Sequence, residues 1–428
     1  MTARFRACRC RAGTIRRQRY TSVKRKIKKG TGYMFEKTIA ERMGRLHTES
    51  AFQILAEANA LEAAGKSIIH CEIGQPDFST PDHIIEAAYE AMKAGYTGYS
   101  PTPGYPDVRA AIAREAGERK GLDLSPENIV IVPGGKPIMF FTMLMLVSPG
   151  DEVLYPNPGF PIYESCIRFA GGTPVPVPLL DKNDFRIDLE QFKNSLTPKT
   201  KLVIINNPGN PTGGLMTKED IGKLADILRD RPDIMILSDE IYDRLVFGEK
   251  PLSIAAVPGF ADRTIILDGL SKTYAMTGWR IGYGIMHPEL AKGVEMLMVN
   301  SNSCTASFTQ RAALAAVTGP QDAVFRMRDA FRERRDWLVP ALNAIPGISC
   351  REPGGAFYAF PNIESFGMDS HTFCTRLLHE GGVAAAWGTS FGQYGEGHFR
   401  LSFANSLENL KIAVDRIAGF TQKLRQEA

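Results

Sequence analysis

The stretch KLVIINNPGNPTGGLMTKEDIGKLADILRDRPDIMILSDE, residues 201–240, contains two apolar runs separated by a segment of helical length. The runs KLVIIN and IMIL have the length and the β-branched composition of buried strands. Two strands joined through a helix favour a parallel pair, with the helix crossing one face of the sheet. This stretch therefore predicts a β-α-β unit.

The same alternation extends over residues 128–286. Five further strand-like runs occur there: IVIVP, DEVLYP, TPVPVPL, TIILDG and RIGYGI. Because helix-length segments separate these runs, we predict parallel strands in an α/β sheet covered by helices on both faces. Gly- and Pro-rich segments such as YPNPGFP and NNPGNPTGG are predicted loops at strand ends, where open α/β sheets bind their ligands.

A second pattern surrounds this region. Apolar residues at helical spacing predict a helix at 47–65, followed by a short strand. After residue 290 the sequence changes to a long amphipathic helix at 321–342, a mixed segment, and a closing helix at 407–425. We therefore predict a large domain over residues 76–329 and a smaller α+β domain formed by residues 47–75 and 330–428.

The N-terminal segment differs in charge from the rest of the chain. Residues 1–46 carry 15 Lys and Arg residues against Glu36 and Glu41, whereas the remaining residues carry 36 basic and 45 acidic side chains. Such a basic segment is typical of an organellar transit peptide, of a nucleic-acid-binding arm, or of sequence upstream of a true start at Met34 or Met43. We treat residues 1–46 as an extension outside the folded body and leave these three interpretations open.

Composition excludes several classes of protein. With 44% hydrophobic and 23% charged residues in 428, the chain can bury a large core. The longest apolar run, 138–147, is about half of what a membrane-spanning helix needs, so no membrane partner is expected. Seven scattered cysteines predict reduced thiols and no metal site. We expect a cytoplasmic protein, with organellar targeting by the N-terminus left open.

The segment PGGKP, residues 133–137, follows the predicted strand IVIVP and leads into an apolar helix. Its glycines allow the backbone to approach an anion, and amide groups at the helix start would point toward it. Lys136 at the positive end of a helix dipole is disfavoured without an anionic partner. The segment indicates a phosphate site, although a plain strand-to-helix turn has the same pattern. Dinucleotide and nucleoside-triphosphate motifs are absent.

Polar residues follow two of the predicted strands directly. Asp239, Glu240 and Tyr242 come after IMIL, and Asn210 lies in NPTGG after KLVIIN. Parallel strands end at one edge of a sheet, so these side chains are placed to meet a ligand there. Asp is also a common helix cap and Asn a common turn residue, so each position by itself permits both interpretations.

Three cations complete the set of candidates. Lys272, in SKTYAMTGWR, becomes a nucleophilic amine if its environment lowers its pKa, although a single lysine is far more often a surface residue. Arg280, close by in sequence, would lower that pKa and could bind a phosphate. Arg400, in the otherwise apolar run HFRLSF, needs an anionic partner if it is buried.

Five motifs occur in order along the chain: GGK, NPTG, SDEIY, SKxxxxxGxR and RLS. This order resembles the class I aminotransferases of pyridoxal-phosphate fold type I, in the aspartate aminotransferase-like branch. The resemblance covers residues 47–428. It implies a mostly parallel seven-stranded sheet in a large cofactor-binding domain, a smaller α+β domain, and pyridoxal 5'-phosphate as the cofactor.

The resemblance also implies catalytic roles. Lys272 matches the lysine that bonds covalently to the cofactor and later moves the substrate α-proton. Asp239 matches the carboxylate that pairs with the pyridine nitrogen and keeps the ring an electron sink. Asn210 and Tyr242 match the pair that hydrogen-bonds the phenolic oxygen, and Phe160 matches the aromatic ring that stacks on the pyridine.

The resemblance assigns the phosphate to the amides of Gly135 and Lys136 and to the side chains of Ser271 and Arg280. Tyr99, in GYSPTPGYP, matches the tyrosine that reaches the partner subunit's phosphate. Sites of this kind are shared between two chains. A homodimer is therefore implied, with an amino acid and a 2-oxo acid as its substrates.

The implied substrate pocket involves residues from distant parts of the chain. Arg400 matches the arginine that binds the α-carboxylate, with Asn210 beside it, and Gly74 matches the glycine whose backbone lines the pocket. In one aspartate-using branch a lysine and a serine bind the distal carboxylate, and Lys136 and Ser50 match these positions. Aspartate is therefore the favoured donor, with alanine, aromatic and branched-chain amino acids as alternatives.

Two residues depart from the family pattern. Gly269 stands where a second phosphate-binding serine is common, so that contact is expected to be missing or replaced. Trp387 stands where proline is usual, in AAWGTSFG, and we expect it to reshape the mouth of the substrate pocket.

The resulting prediction is a homodimeric aminotransferase with a ping-pong mechanism, using a 2-oxo acid such as 2-oxoglutarate. A pyridoxal-phosphate-dependent lyase is the main alternative, because the same cofactor supports both reactions. An aminotransferase-like transcription regulator is a second one, suggested by the basic N-terminus. Residues 1–46 are too few for the usual winged DNA-binding domain, so nucleic acid is an unlikely partner.

Overall fold

The computed structural model describes residues 38–427. The predictions made for residues 1–37 therefore lie outside the described residues. The segment before residue 45 contains the start of a short 3-10 turn, Glu41–Arg45, and residues from Arg45 onward form one compact unit.

In the described chain, the strands near the two ends of the sequence are mostly short, and those in the middle of the sequence are longer. They are β1 (Ile69–His70), β2 (Ile129–Val132), β3 (Glu152–Asn157), β4 (Thr173–Pro178), β5 (Thr200–Asn206), β6 (Met235–Asp239), β7 (Thr264–Gly269), β8 (Gly282–Ile285), β9 (Tyr358–Ala359), β10 (Val383–Ala384), β11 (Ala386–Trp387) and β12 (Phe399–Ser402).

The α-helices alternate with the central strands and then dominate the C-terminal third. They are α1 (Ser50–Ala63), α2 (Asp82–Lys93), α3 (Pro106–Lys120), α4 (Lys136–Leu146), α5 (Ile162–Ala170), α6 (Leu189–Ser195), α7 (Lys218–Arg229), α8 (Leu270–Thr273), α9 (Pro288–Val299), α10 (Ser307–Thr318), α11 (Asp322–Asn343), α12 (Ser370–Arg376) and α13 (Leu407–Glu427).

The central sheet has seven strands in the order β2-β8-β7-β6-β5-β3-β4. The pairs β3-β4, β3-β5, β5-β6 and β6-β7 are parallel, so the predicted mostly parallel α/β sheet is confirmed. In this register Asn206 at the end of β5 lies beside Asp239 at the end of β6. The polar residues that follow these strands are thus brought to one edge of the sheet.

Strand β8 differs from the sequence expectation because it runs antiparallel to both β7 and β2. A parallel return requires a connection that runs back along the sheet, usually a helix. Between β7 and β8 the chain forms only the four-residue helix α8 and the 3-10 turn Thr277–Trp279. Neither is long enough to run back along the sheet, so β8 returns in the opposite direction.

Both faces of the sheet are covered, because successive residues of a strand point to opposite sides. In β5, Leu202 and Ile204 pack in a core with α4, α5 and α9. Val203 and Ile205 pack on the other face, in a core with α7. Thr217 is the N-cap of helix α7, and its side chain and that of Asp220 accept hydrogen bonds from each other's backbone amides. The β-α-β unit predicted from residues 201–240 is therefore present.

The remaining strands form two small sheets. β1 pairs with β10 in parallel, and β11-β12-β9 form an antiparallel sheet. A separate core with α11 and α13 lies against them and contains buried aromatic side chains, among them Phe331, Phe357, Phe399 and Phe403. The division into domains at residues 75/76 and 329/330 stays a prediction. Among helices of residues 38–427, none is long and apolar enough to cross a membrane.

Candidate active site

A cavity of about 540 Å³ lies at the carboxyl ends of the central strands. Every residue predicted to bind cofactor or substrate lines it, with the exception of Tyr99. These lining residues are Gly74, Gly135, Lys136, Phe160, Asn210, Asp239, Tyr242, Ser271, Lys272, Arg280 and Arg400, together with Ser50. Residues far apart in sequence are therefore gathered around one space.

One end of the cavity is built for an anion. Gly135 is the N-cap of α4, so the first amides of that helix have no partner inside it. Gly134 has a φ of +80°, and a β-carbon there would collide with the guanidinium of Arg280. Ser271 lies in the same cavity. The positive φ favours glycine at this position, where the backbone lies against the Arg280 guanidinium.

Asp239 ends β6 and is buried. Its carboxylate accepts hydrogen bonds from the Tyr163 hydroxyl at 2.6 Å and from the amide of Ile241 at 3.3 Å. Burial raises the pKa of Asp239 to about 6, with smaller contributions from the charges of Asp268 and Glu240, against the opposing effect of its hydrogen bonds. A cationic ligand would relieve this cost of desolvation.

Lys272 follows β7 in the short helix α8, and its amine donates a hydrogen bond to the carbonyl of Gly74. Burial, together with the positive charges of Arg400 and Arg280, lowers the pKa of Lys272 to about 8. A minor fraction of the amine is therefore neutral at pH 7, and the neutral form of an amine is the nucleophilic and basic one.

Arg400 is only 4% exposed and lies in β12. Its guanidinium donates to Asn210 Oδ1 at 3.0 Å and to the carbonyl of Glu72, but its Nε has no partner. Its carbon lies 4.5 Å from the ring centre of Tyr358. Within residues 38–427 no carboxylate forms an ion pair with it. A buried cation without a counter-ion is ready to bind a carboxylate ligand.

Tyr242 and Asn210 are held by neighbours that the sequence did not indicate. The hydroxyls of Tyr242 and Tyr358 are 2.8 Å apart, and burial raises the pKa of Tyr242 well above its usual value. The backbone amide of Asn210 donates to Asn206 Oδ1 at 2.8 Å, and its side-chain oxygen accepts a hydrogen bond from Arg400. Both side chains are therefore fixed on the cavity wall before any ligand binds.

Lys136 has a partner that the sequence did not predict. Its amine forms an ion pair with Glu49 and lies 5.3 Å from the ring centre of Phe160. Glu49 also lines the cavity, next to Ser50. The lysine therefore projects its charge into a site that already contains an acid.

Two expected residues lie elsewhere. Tyr99 is 90% exposed and outside the cavity of its own chain. Trp387 is not among the residues that line this cavity, and its ring centre lies 4.6 Å from that of His371. Its effect on the mouth of the pocket stays a prediction.

Comparison with known proteins explains this arrangement. The family model described as aminotransferase class I and II matches residues 66–417. The chain belongs to this family. Its fold type and its aminotransferase class are those predicted from the five motifs, and members of this family use pyridoxal 5'-phosphate.

Individual relatives of this aminotransferase cover nearly the whole chain. The aspartate aminotransferase of Geobacillus stearothermophilus is 39% identical over 391 residues, 90% of this chain and 99% of its own. The aromatic-amino-acid aminotransferase 2 of Thermococcus litoralis is 40% identical over 358 residues, 82% of this chain and 91% of its own. The structure of the Thermus thermophilus aspartate aminotransferase with maleate has a TM-score of 0.86, with 35% identity, 89% of this chain and 99% of that one.

Sequence reasoning missed several residues of this aminotransferase's cavity. Tyr163 lies three positions after Phe160 in NPGFPIY, in the first turn of α5, and the two ring centres are 5.8 Å apart. Tyr358, in GGAFYAF, is surrounded by apolar residues and resembles core sequence. Glu49 gave no signal, because a lone acid before a helix is ordinary.

Proposed function

We propose that the protein is a pyridoxal-phosphate-dependent aminotransferase that moves an amino group between an L-amino acid, with aspartate favoured, and a 2-oxo acid such as 2-oxoglutarate. The observation that carries the proposal is the pairing, in one cavity, of an amine with a lowered pKa at Lys272 and a buried cation without a counter-ion at Arg400. Substrates of this reaction all possess a carboxylate and an amino or keto carbon beside it.

The residues of the cavity fit the cofactor. Its phosphate suits the amides of Gly135 and Lys136 with Ser271 and Arg280, where a larger residue than Gly134 would collide. Its ring nitrogen suits Asp239, a buried carboxylate without a cationic partner of its own in the described chain. When bound, the cofactor supplies an aldehyde and an electron-withdrawing ring.

The chain's own residues then have distinct tasks. Arg400, placed by Asn210 and the Glu72 carbonyl, binds and orients the substrate α-carboxylate. The amine of Lys272 removes the proton from the substrate α-carbon and returns it in the reverse half-reaction. Asp239 stabilises positive charge at the cofactor ring nitrogen, where a neutral group would not.

The direct test is a panel of half-reactions. Purified holoenzyme is mixed with single amino acids, and the loss of the visible cofactor absorption is followed. Rapid conversion with L-aspartate and recovery with 2-oxoglutarate support the proposal. Carbon dioxide or ammonia release without a new amino acid would instead identify a decarboxylase or lyase.

An aromatic amino acid is the second candidate donor. The Thermococcus litoralis aromatic-amino-acid aminotransferase is 40% identical over 82% of this chain, against 39% over 90% for the Geobacillus stearothermophilus aspartate aminotransferase. The same panel decides between the two, through the ratio of kcat/KM for L-aspartate and L-phenylalanine.

We further propose a homodimer with shared sites, because Tyr99 is exposed and matches a cross-subunit phosphate ligand. Sedimentation that shows only monomers at micromolar concentration would contradict it. A cytoplasmic location and the absence of nucleic-acid binding stay predictions, to be tested by cell fractionation and by gel shift at moderate salt.

Replacing Arg400 with lysine is expected to raise KM for the amino acid by about 10–100-fold with a smaller change in kcat. Lysine keeps the charge but loses the planar, two-pronged fit to a carboxylate, worth about 1.5–3 kcal/mol. Steady-state kinetics measure the split. An unchanged KM would remove Arg400 from carboxylate binding.

The capture of pyridoxal phosphate by cofactor-free protein is expected to accelerate as pH rises through about 8. The neutral amine of Lys272 is the attacking form, and its pKa in the fold is about 8. Because Arg400 contributes to that lowering, Arg400→Gln should move the midpoint to higher pH. Stopped-flow absorbance measures the rate. A pH-independent rate would contradict the assignment of Lys272.

A further inference from the structure

Glu49 and Lys136, which lie at the N-terminal ends of two different helices, form an ion pair with each other. Glu49 is the N-cap of α1, yet its side chain makes no capping hydrogen bond. Its carboxylate pairs instead with Lys136, 87 positions away in sequence, at the start of α4.

The pair lies inside the active-site cavity. Glu49, Lys136 and Phe160 all line it, and the Lys136 amine lies above the Phe160 ring. The charge of Glu49 raises the pKa of Lys272 and that of Lys136 lowers it, so both act on the amine that performs the chemistry. A substrate held between Arg400 and Lys272 is therefore within the electrostatic reach of both charges.

The lysine of this ion pair is accessible to solvent, so a ligand can take the place of Glu49. The side chain of Lys136 is 49% exposed and that of Glu49 17% exposed. A half-exposed ion pair is weakly held, typically by about 1 kcal/mol or less. A carboxylate brought by a ligand can replace Glu49 at Lys136, because the lysine end of the pair is open to solvent.

We propose that Glu49 is an exchangeable counter-ion that sets side-chain specificity: the pair stays closed over uncharged substrate side chains, and a substrate's distal carboxylate displaces Glu49 from Lys136. The inference rests on the proposed function, in which aspartate and 2-oxoglutarate carry a distal carboxylate and an aromatic donor does not. With the pair closed, the local charge is zero and suits an aromatic or aliphatic side chain. With Glu49 displaced, Lys136 presents a free positive charge to a dicarboxylate.

Glu49 then acts against dicarboxylates, since it competes with them for Lys136. Removing its charge should favour dicarboxylates, while removing the charge of Lys136 should disfavour them. Removing both should restore a neutral site. This dependence on local charge separates exchange from a merely structural role, in which every variant would be impaired alike.

The experiment uses holoenzyme of four forms: the parent, Glu49→Gln, Lys136→Gln and the double variant. Dissociation constants are measured by absorbance titration for maleate, a dicarboxylate, and for 3-phenylpropionate, which has one carboxylate and an uncharged side chain. Glu57→Gln is the matched control, because Glu57 lies on the same helix but pairs with His379 at the surface.

We expect Glu49→Gln to bind maleate about tenfold more tightly, and Lys136→Gln to bind it about tenfold or more weakly. The double variant should return toward the parent. Binding of 3-phenylpropionate should change by less than about threefold throughout. In half-reactions, kcat/KM for L-aspartate relative to L-phenylalanine should follow the same order.

An unchanged ratio of maleate to 3-phenylpropionate affinity in Glu49→Gln would overturn the proposal. If Lys136→Gln fails to fold, Lys136→Arg replaces it and should retain maleate binding, because it keeps the charge. Failure of the proposed function has a different signature: no amino transfer from any amino acid by the parent holoenzyme. The two failures are therefore distinguishable.

Discussion

Lys272→Ala is expected to lose amino transfer by at least about 10⁴-fold and to lose the visible absorption of bound cofactor at the same time. The substitution removes both the nucleophile that bonds to the cofactor and the base that moves the α-proton. Absorbance spectra and half-reaction rates of purified protein measure the two losses. Joint loss is expected because one amine performs both tasks.

The control for Lys272 is Lys292→Ala. Lys292 lies on the exposed face of α9, where it pairs with Glu289, and it has no contact with the cavity. Spectrum and rate should both stay at the parent level. Amino transfer at the parent rate in Lys272→Ala would make the whole assignment of the site wrong.

Asp239→Asn is expected to lower kcat by about 10²–10³-fold while the cofactor stays bound. The phosphate contacts and Lys272 remain, but a neutral amide no longer favours positive charge at the cofactor ring nitrogen. Single-turnover rates and the content of bound cofactor measure the effect. Unchanged turnover would remove Asp239 from this role.

The same substitution is expected to stabilise the cofactor-free protein above pH 6. Burial raises the folded-state pKa of Asp239 to about 6 from 3.8, so the folded state disfavours the ionised form. The stability that this group supplies is present below pH 3.8 and is lost as pH rises through about 6. At pH 8 the cost is on the order of 3 kcal/mol, which asparagine avoids.

Denaturant unfolding of cofactor-free protein at pH 8 and at pH 4 tests this stability. The difference between Asp239→Asn and the parent should be large at pH 8 and small at pH 4. Asp233→Asn is the control, because Asp233 is exposed and paired with Arg231. If Asp239→Asn has a lower kcat and a higher free energy of unfolding than the parent, Asp239 serves the reaction at a cost in stability.

Many of the residues that line the cavity could be predicted from the sequence. Asp239, Asn210 and Lys272 each follow an apolar strand within a few residues, so the alternation of strands and helices places all three at one edge of the sheet. Only local patterns and the geometry of parallel strands are needed. The position of the PGGKP glycines, between a strand and α4, could be predicted from local patterns in the same way.

The direction of β8 and the partners of the cavity residues could not be predicted. The run RIGYGI has the same composition whether its strand is parallel or antiparallel, and only the lack of a returning helix decides. Tyr163 beneath Asp239 and Tyr358 beside Tyr242 depend on the packing of separate elements. Their sequence signals are those of ordinary core residues.

The sequence alone therefore determined the α/β sheet and the chemistry at its edge, because strand periodicity and the residues after each strand are local properties of the chain. The tertiary structure decided how charge is balanced in the cavity. Arg400 has a buried nitrogen without a partner. Glu49 makes no capping hydrogen bond to its own helix and pairs with Lys136. These are long-range contacts, and the energy of a charge depends on what surrounds it in space rather than in sequence.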